Sequence, residues 1–186
     1  MTRNRTLLVL VALVLVGIAA WFYLRRGHET VAVDLVKEFP AAKERRSNPN
    51  ADAFSVIQAT INGDTKPAIF TKEQTGTRIK WEKPIPDNAW LEVSMGLLED
   101  AWKIEGDGVL FRIGISIGAT YDPLVTVQLN PFSNPSDRQW NSVSFDLSQY
   151  AGQTVEIIFL TNSSSPGADN RAGDLAVWGA PRIVIK

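Results

Sequence analysis

From Phe54 to Ile185 the chain is a succession of short runs in which apolar and polar residues alternate. Successive side chains of a strand point to opposite faces, so runs of this kind build sheets with one buried side. "TRIKW" sets Ile79 and Trp81 on one face and Arg78 and Lys80 on the other. "WLEVSMGL" directs Leu91, Val93, Met95 and Leu97 inward and Trp90, Glu92 and Ser94 outward. "GVLFRIGISI" repeats the device with Val109, Phe111, Ile113, Ile115 and Ile117, "LVTVQL" with Val125, Val127 and Leu129, and "SVSFDL" with Val143, Phe145 and Leu147. "TVEIIFL" and the final "RIVI" are more continuously apolar, as strands covered on both faces are. "FSVIQATI" ends at Asn62-Gly63, a hairpin dipeptide. No apolar run of helical period and ~12 residues interrupts the series. About eight to ten short strands with turns between them make an all-β, antiparallel sandwich.

"DLSQYAGQTVEIIF", residues 146 to 159, joins two such strands. Asp146 and Gln149 have the spacing of a capping box, and Gly152 permits the turn to end. The segment is expected to carry the chain from one sheet to the other, with Tyr150 across the mouth of the sandwich. Together, "SVSFDLSQYAGQTVEIIFLT", the preceding "AWKIEGDGVLFRI" and the following "DLAVWGAPRI" resemble the galactose-binding-like jelly-roll superfamily, in particular the carbohydrate-binding-module-like domains of bacterial envelope proteins. The resemblance runs from about Pro86 to Ile185. It implies a jelly-roll-like fold and leaves the ligand open, because that fold hosts sugar-binding, protein-binding and structural modules.

The N-terminal part is of another kind. Leu7 to Leu24, "LLVLVALVLVGIAAWFYL", carries no charge. At ~1.5 Å per residue it reaches about 27 Å, close to the hydrocarbon thickness of a bilayer. Trp21, Phe22 and Tyr23 followed by Arg25 and Arg26 suit the membrane interface. A cleaved signal peptide is the competing reading, and the apolar run continuing past "GIAA" favours a retained helix. The expected organisation is a short N-terminus at 1–6, a transmembrane helix at 7–24, a juxtamembrane linker at 25–50 and the sandwich at 51–186. Within the linker, Asp34–Phe39 has the pattern of a short amphipathic helix stopped by Pro40, serving as a spacer or as a foot on lipid or on a partner. The basic residues flanking the apolar run argue for a cytoplasmic domain, and the signal-like start argues for a periplasmic or extracellular one. The second is the expectation.

Composition removes several functions. There is no Cys, and the single His is His28, so neither a thiolate site nor a Ser-His-Asp arrangement can form in the main domain. Residues 1–50 hold eight Lys/Arg against four Asp/Glu, and residues 51–186 hold eleven against sixteen. An acidic main domain disfavours nucleic acid. No cofactor is called for, although the loop acids Asp100, Glu105, Asp107, Asp122, Asp169 and Asp174 leave an oxygen-ligand calcium site open.

Six Trp are many for this length. Trp81 reads as core, while Trp90, Trp102, Trp140 and Trp178 fall at strand ends or outward positions, with Tyr121 and Phe132 in loops. Such rings close the sandwich ends, stack on sugars or, with Phe39, anchor a protein partner. The expectation is a non-catalytic single-pass membrane subunit whose external sandwich scaffolds a larger membrane assembly, whether photosynthetic, respiratory, secretory or wall-associated. Its partners would be other membrane subunits and the bilayer. The alternative is a membrane-anchored carbohydrate-binding module that reads envelope glycans. A glycan binder requires a groove with an exposed aromatic ring and converging polar groups, whereas a scaffold requires a flatter apolar patch.

Overall fold

The computed structural model describes residues 29–45, 53–72, 77–163 and 171–186. These residues form two antiparallel sheets. Strands β3 (Phe54–Ile61), β4 (Asp64–Thr71), β6 (Ala89–Leu97), β9 (Asn141–Asp146) and β11 (Ala176–Ile185) make the first, in the order β3-β4-β11-β6-β9, with β1 (Thr30–Asp34) also paired to β11. The second is β2-β5-β10-β7-β8, from Lys43–Arg45, Thr77–Pro84, Thr154–Ser163, Val109–Ile117 and Thr120–Leu129.

Alternation places the inward residues as expected: Ile79, Trp81, Leu91, Val93, Met95, Leu97, Val109, Phe111, Ile113 and Ile115 are buried. Asn62 (φ 50°) and Gly63 (φ 78°) turn β3 into β4, both in the left-handed region that such a hairpin needs. The stretch after β9 also crosses from the first sheet to the second. Its cap differs in detail from a capping box. Asp146 Oδ1 accepts the backbone N–H and the hydroxyl of Ser148, closing a local Asx turn that leads into the 3-10 turn Ser148–Tyr150. Gly152 (φ 75°) then releases the chain into β10.

At the centre, Trp178 of β11 stacks on Phe159 of β10 (centroids 4.7 Å apart, planes at 28°) and meets Phe111 of β7 edge-on at 4.9 Å. Phe159 in turn meets Trp81 of β5 edge-on at 5.3 Å. These rings bridge the two sheets. Trp178 has no exposed surface, which corrects its assignment as an outward residue. Its neighbour Val177 is equally buried, in a small cluster on the outer side of the first sheet with Ala59, Ile61 and Ala68. Alternation cannot choose a face where both are covered.

The amphipathic helix expected over Asp34–Phe39 does not form. Asp34 ends β1, its Oδ1 accepts the N–H groups of Val36 (3.1 Å) and Lys37 (3.2 Å), and a 3-10 turn follows at Phe39–Ala41. A run of six residues is too short to repay helix nucleation when a side chain can cap a tight turn locally. The segment is also more than a spacer. Leu35 is fully buried, its N–H donates to Pro181 O (2.9 Å), and Glu38 O accepts Trp81 Nε1 (3.1 Å). Strand β2 adds an edge to β5. Residues from Val31 onward therefore belong to the same compact unit as the sandwich. The transmembrane helix expected at 7–24, with Trp21, Phe22, Tyr23, Arg25 and Arg26, lies outside the described residues. Among those described, no helix is long and apolar enough to cross a membrane.

Candidate functional site

The outer faces of the two sheets carry different chemistry. On the first, a groove of about 410 Å³ is lined by Lys66, Glu92, Ser94, Ser142, Ser144 and Arg182. Its polar groups largely satisfy one another. Arg182 pairs with Glu92 (2.9 Å), the Ser94 and Ser142 hydroxyls share a hydrogen bond (2.8 Å), and Lys66 pairs with Asp64 (2.8 Å). Trp140 borders this face, but its six-membered ring lies so close to Gly179 that a Cβ there would stand 2.6 Å from the ring. Its Nε1 donates to Asp64 O (2.9 Å). Here the aromatic ring is built into the fold.

On the second sheet the ring is open. Tyr121 of β8 is 49% exposed and lies over Gly114 of β7, where a Cβ would come within 2.4 Å of three Tyr121 atoms. A side chain at position 114 would lift the ring from the sheet, so glycine sets its position. A bulge in β8 shifts the register here, Ile113 facing Val125 and Gly114 facing Pro123. The ring borders two grooves, the first on this outer face and the second on the inward side of β7 and β8 toward the mouth of the sandwich. One, of about 360 Å³, is lined by Arg78, Arg112, Tyr121, Pro123, Thr126, Ile158 and Leu160. The other, of about 410 Å³, is lined by Ile115, Ile117, Thr120, Tyr121, Asp122 and Tyr150.

The pairing registers order this face in rows. Thr126, Arg112, Leu160 and Arg78 lie side by side on β8, β7, β10 and β5, and the register continues to Arg45 on β2. The adjoining row runs Pro123, Gly114, Ile158 and Lys80. Lys80 is paired with Glu156, and Lys43 with Glu82 (3.2 Å). Arg78 and Arg112 form no ion pair with the described residues, and Arg78 Nε is shielded from solvent without an acceptor among them. Ile158 and Leu160 give the floor an apolar strip. Asp122, the carboxylate beside Tyr121, accepts the Tyr150 hydroxyl. Burial, and then Asp122, push the Tyr150 hydroxyl up to about 12.

Of the aromatic residues singled out in the sequence, Tyr121 lines both grooves and Tyr150 the second. Trp90 is half-buried on β6 beside Asp146 and Val184. Trp102 donates to Leu97 O (3.2 Å) and carries Arg138 over its ring at 6.0 Å. Phe132 is 41% exposed in the loop after β8, and Phe39 packs against the main core. Arg112 went unremarked in the sequence because an arginine among apolar residues of a strand is an ordinary outward position. Its signal was the apolar Ile158 and Leu160 at outward positions of β10, which leave an apolar strip on the same face.

Of the loop acids, Asp107 and Asp174 come close enough to repel one another. Among the described residues no three metal-ligating side chains gather, and Asp169 lies outside them. Burial, then Asp107, hold the Asp174 carboxyl up at about 7, with Arg171 opposing. A carboxyl raised above its unfolded value of 3.8 favours the fold below about pH 4, and that contribution is lost as pH rises to about 7. Asp174→Asn is therefore expected to raise the melting temperature at pH 8 more than at pH 4. An equal effect at both would show that the raised carboxyl has no part in stability.

No family model matches this chain. A protein of Archaeoglobus fulgidus, described only as an uncharacterized protein, is 43% identical over 101 residues, covering 53% of this chain and 25% of its own length. This chain thus spans about a quarter of that relative. Among solved structures, the family 61 module TmCBM61 in complex with β-1,4-galactotriose superimposes with a TM-score of 0.50 at 14% identity, covering 80% of this chain and 90% of that one. The C-terminal family 22 carbohydrate-binding module of Clostridium thermocellum Xyn10B also gives 0.50, at 10% identity, covering 83% of this chain and 93% of that one. The sandwich thus has the galactose-binding-like jelly-roll fold found in carbohydrate-binding modules.

Proposed function

We propose that this protein is a non-catalytic glycan-binding module and that the Tyr121 face of the second sheet is its binding surface. The observation that carries the reading is the open ring of Tyr121, seated on Gly114 beside a groove whose lining includes Arg78, Arg112 and Thr126. The C–H face of a sugar packs on an aromatic ring while its hydroxyls meet the polar rim, as in other small-molecule sites. The similarity in fold to modules solved with a galactotriose or named for carbohydrate binding supports the same class of ligand. The uncharged run Leu7–Leu24 would hold the module at a membrane, with the sandwich on the external side.

Three of the seven residues expected to anchor a partner of a scaffold subunit are taken up by the fold: Trp178 is core, Phe39 packs on the core, and Trp140 is seated against glycines. Tyr121→Ala should weaken binding of the full-length protein to its best glycan on an array by about tenfold, or ~1.4 kcal/mol, and leave melting nearly unchanged. Gly114→Val, which displaces the ring without removing it, should act in the same direction. Binding that survives both changes would move the site elsewhere, and an array with no bound glycan would defeat the reading.

A further inference from the structure

The geometry points to an acidic ligand for this face: a glycan whose sugars carry carboxylate or sulfate groups. This inference rests on the glycan-binding reading and adds the class of sugar. Arg112 and Arg78 occupy strands on either side of Leu160, in one row. With neighbouring strands ~4.8 Å apart, their backbones stand roughly 10 Å from one another. An anionic group above Leu160 is then within reach of both side chains. The guanidinium is always charged and matches the two oxygens of a carboxylate or a sulfate through paired N–H donors.

Charge balance across the face favours an anion. The Lys80 and Lys43 cations are matched by Glu156 and Glu82, whereas Arg78 and Arg112, which line the groove over the apolar strip, have no carboxylate partner among the described residues. Asp122 is the opposing charge at this site, and it lies toward Tyr150 in the other groove. The anionic group is thus expected over Leu160, with a sugar ring on Tyr121 beside it. A neutral glycan would bring neither guanidinium a charged acceptor. An acidic one gives each a charge-assisted acceptor, the stronger kind of hydrogen bond.

The test uses the full-length protein with three sets of oligosaccharides of equal length: galacturonic acid, sulfated galactan and neutral galactan. At low salt, at least one acidic set should bind about tenfold or more tightly than the neutral set, and the difference should shrink from about 50 mM to about 500 mM NaCl as screening shortens. The preferred set identifies the anion as carboxylate or sulfate. Arg78→Gln with Arg112→Gln should abolish the acidic preference, so that the acidic and neutral sets bind the variant alike. Arg78→Lys with Arg112→Lys should keep part of it, because charge remains and the paired donors are lost. Melting curves establish that the variants are folded.

Neutral oligosaccharides binding as tightly as acidic ones, with the glutamine variants unchanged, would overturn this inference and leave glycan binding standing. Equal binding of inorganic polyphosphate would overturn it too, by showing charge attraction without sugar recognition. No binding of any set would remove both readings together.

Discussion

A fragment beginning at residue 51 is expected to melt far below one beginning at residue 29. The shorter fragment lacks β1 and β2, and with them one strand of each sheet. It also lacks Leu35, which has no exposed surface. Emptying a buried leucine site costs about 2–5 kcal/mol. Trp81 Nε1, whose partner is Glu38 O, would lose its acceptor, and a buried donor left unpaired costs about 1–3 kcal/mol more. The Lys83–Glu38 pair at 2.9 Å disappears as well. Against a total stability of roughly 5–15 kcal/mol, a loss on the order of 5 kcal/mol lowers the melting temperature by about 10–20 °C. Thermal circular dichroism of the two fragments measures the difference. Coincident curves would show that the first two strands decorate a fold already complete without them.

Trp178→Ala should be the most damaging single substitution among the tryptophans. The ring is shared by both sheets, stacked on Phe159 and edge-on to Phe111, so its removal leaves a cavity between them. Large aromatic truncations of this kind cost about 3–5 kcal/mol, which amounts to roughly 10 °C or more for a domain of this size. Trp178→Phe should recover part of that loss. It keeps a ring and removes Nε1–H, which is buried without a hydrogen-bond partner among the described residues. Trp140→Ala, where the ring is only half-buried at the surface, should shift the melt much less. If Trp140→Ala and Trp178→Ala melted alike, the aromatic cluster would not be the centre of the core.

These two results also separate what was legible in the residues from what was not. Alternation in "TRIKW" and "GVLFRIGISI" gave the buried faces of β5 and β7, because strand side chains alternate whatever their neighbours are. Asn62-Gly63 marked its hairpin because few dipeptides accept positive φ at both positions. The crossing at Asp146–Gly152 was legible for the same local reason. "TVAVDLV", by contrast, was read as spacer and helix, since a five-residue edge strand has little signal apart from its partner. Trp178 defeated alternation because Val177, on the other face, is covered too.

The candidate site shows the same division more sharply. Residues 51–186 are acidic overall, and that balance concealed a row of arginines on one face. Arg78 and Arg112 are far apart along the chain, and only the order β5-β10-β7 sets them on either side of Leu160. Tyr121 was visible as an aromatic near a turn, but its seat required Gly114 opposite and a bulge to shift the register. The all-β class, the inward residues of most strands and the turns could be read from the residues, since each follows from conformational preferences within a few positions. The tertiary structure alone decided which strands are neighbours, which tryptophan is core and which charges share a face. Those depend on pairing between distant segments, where the burial of a whole sheet face, not any local preference, selects the register.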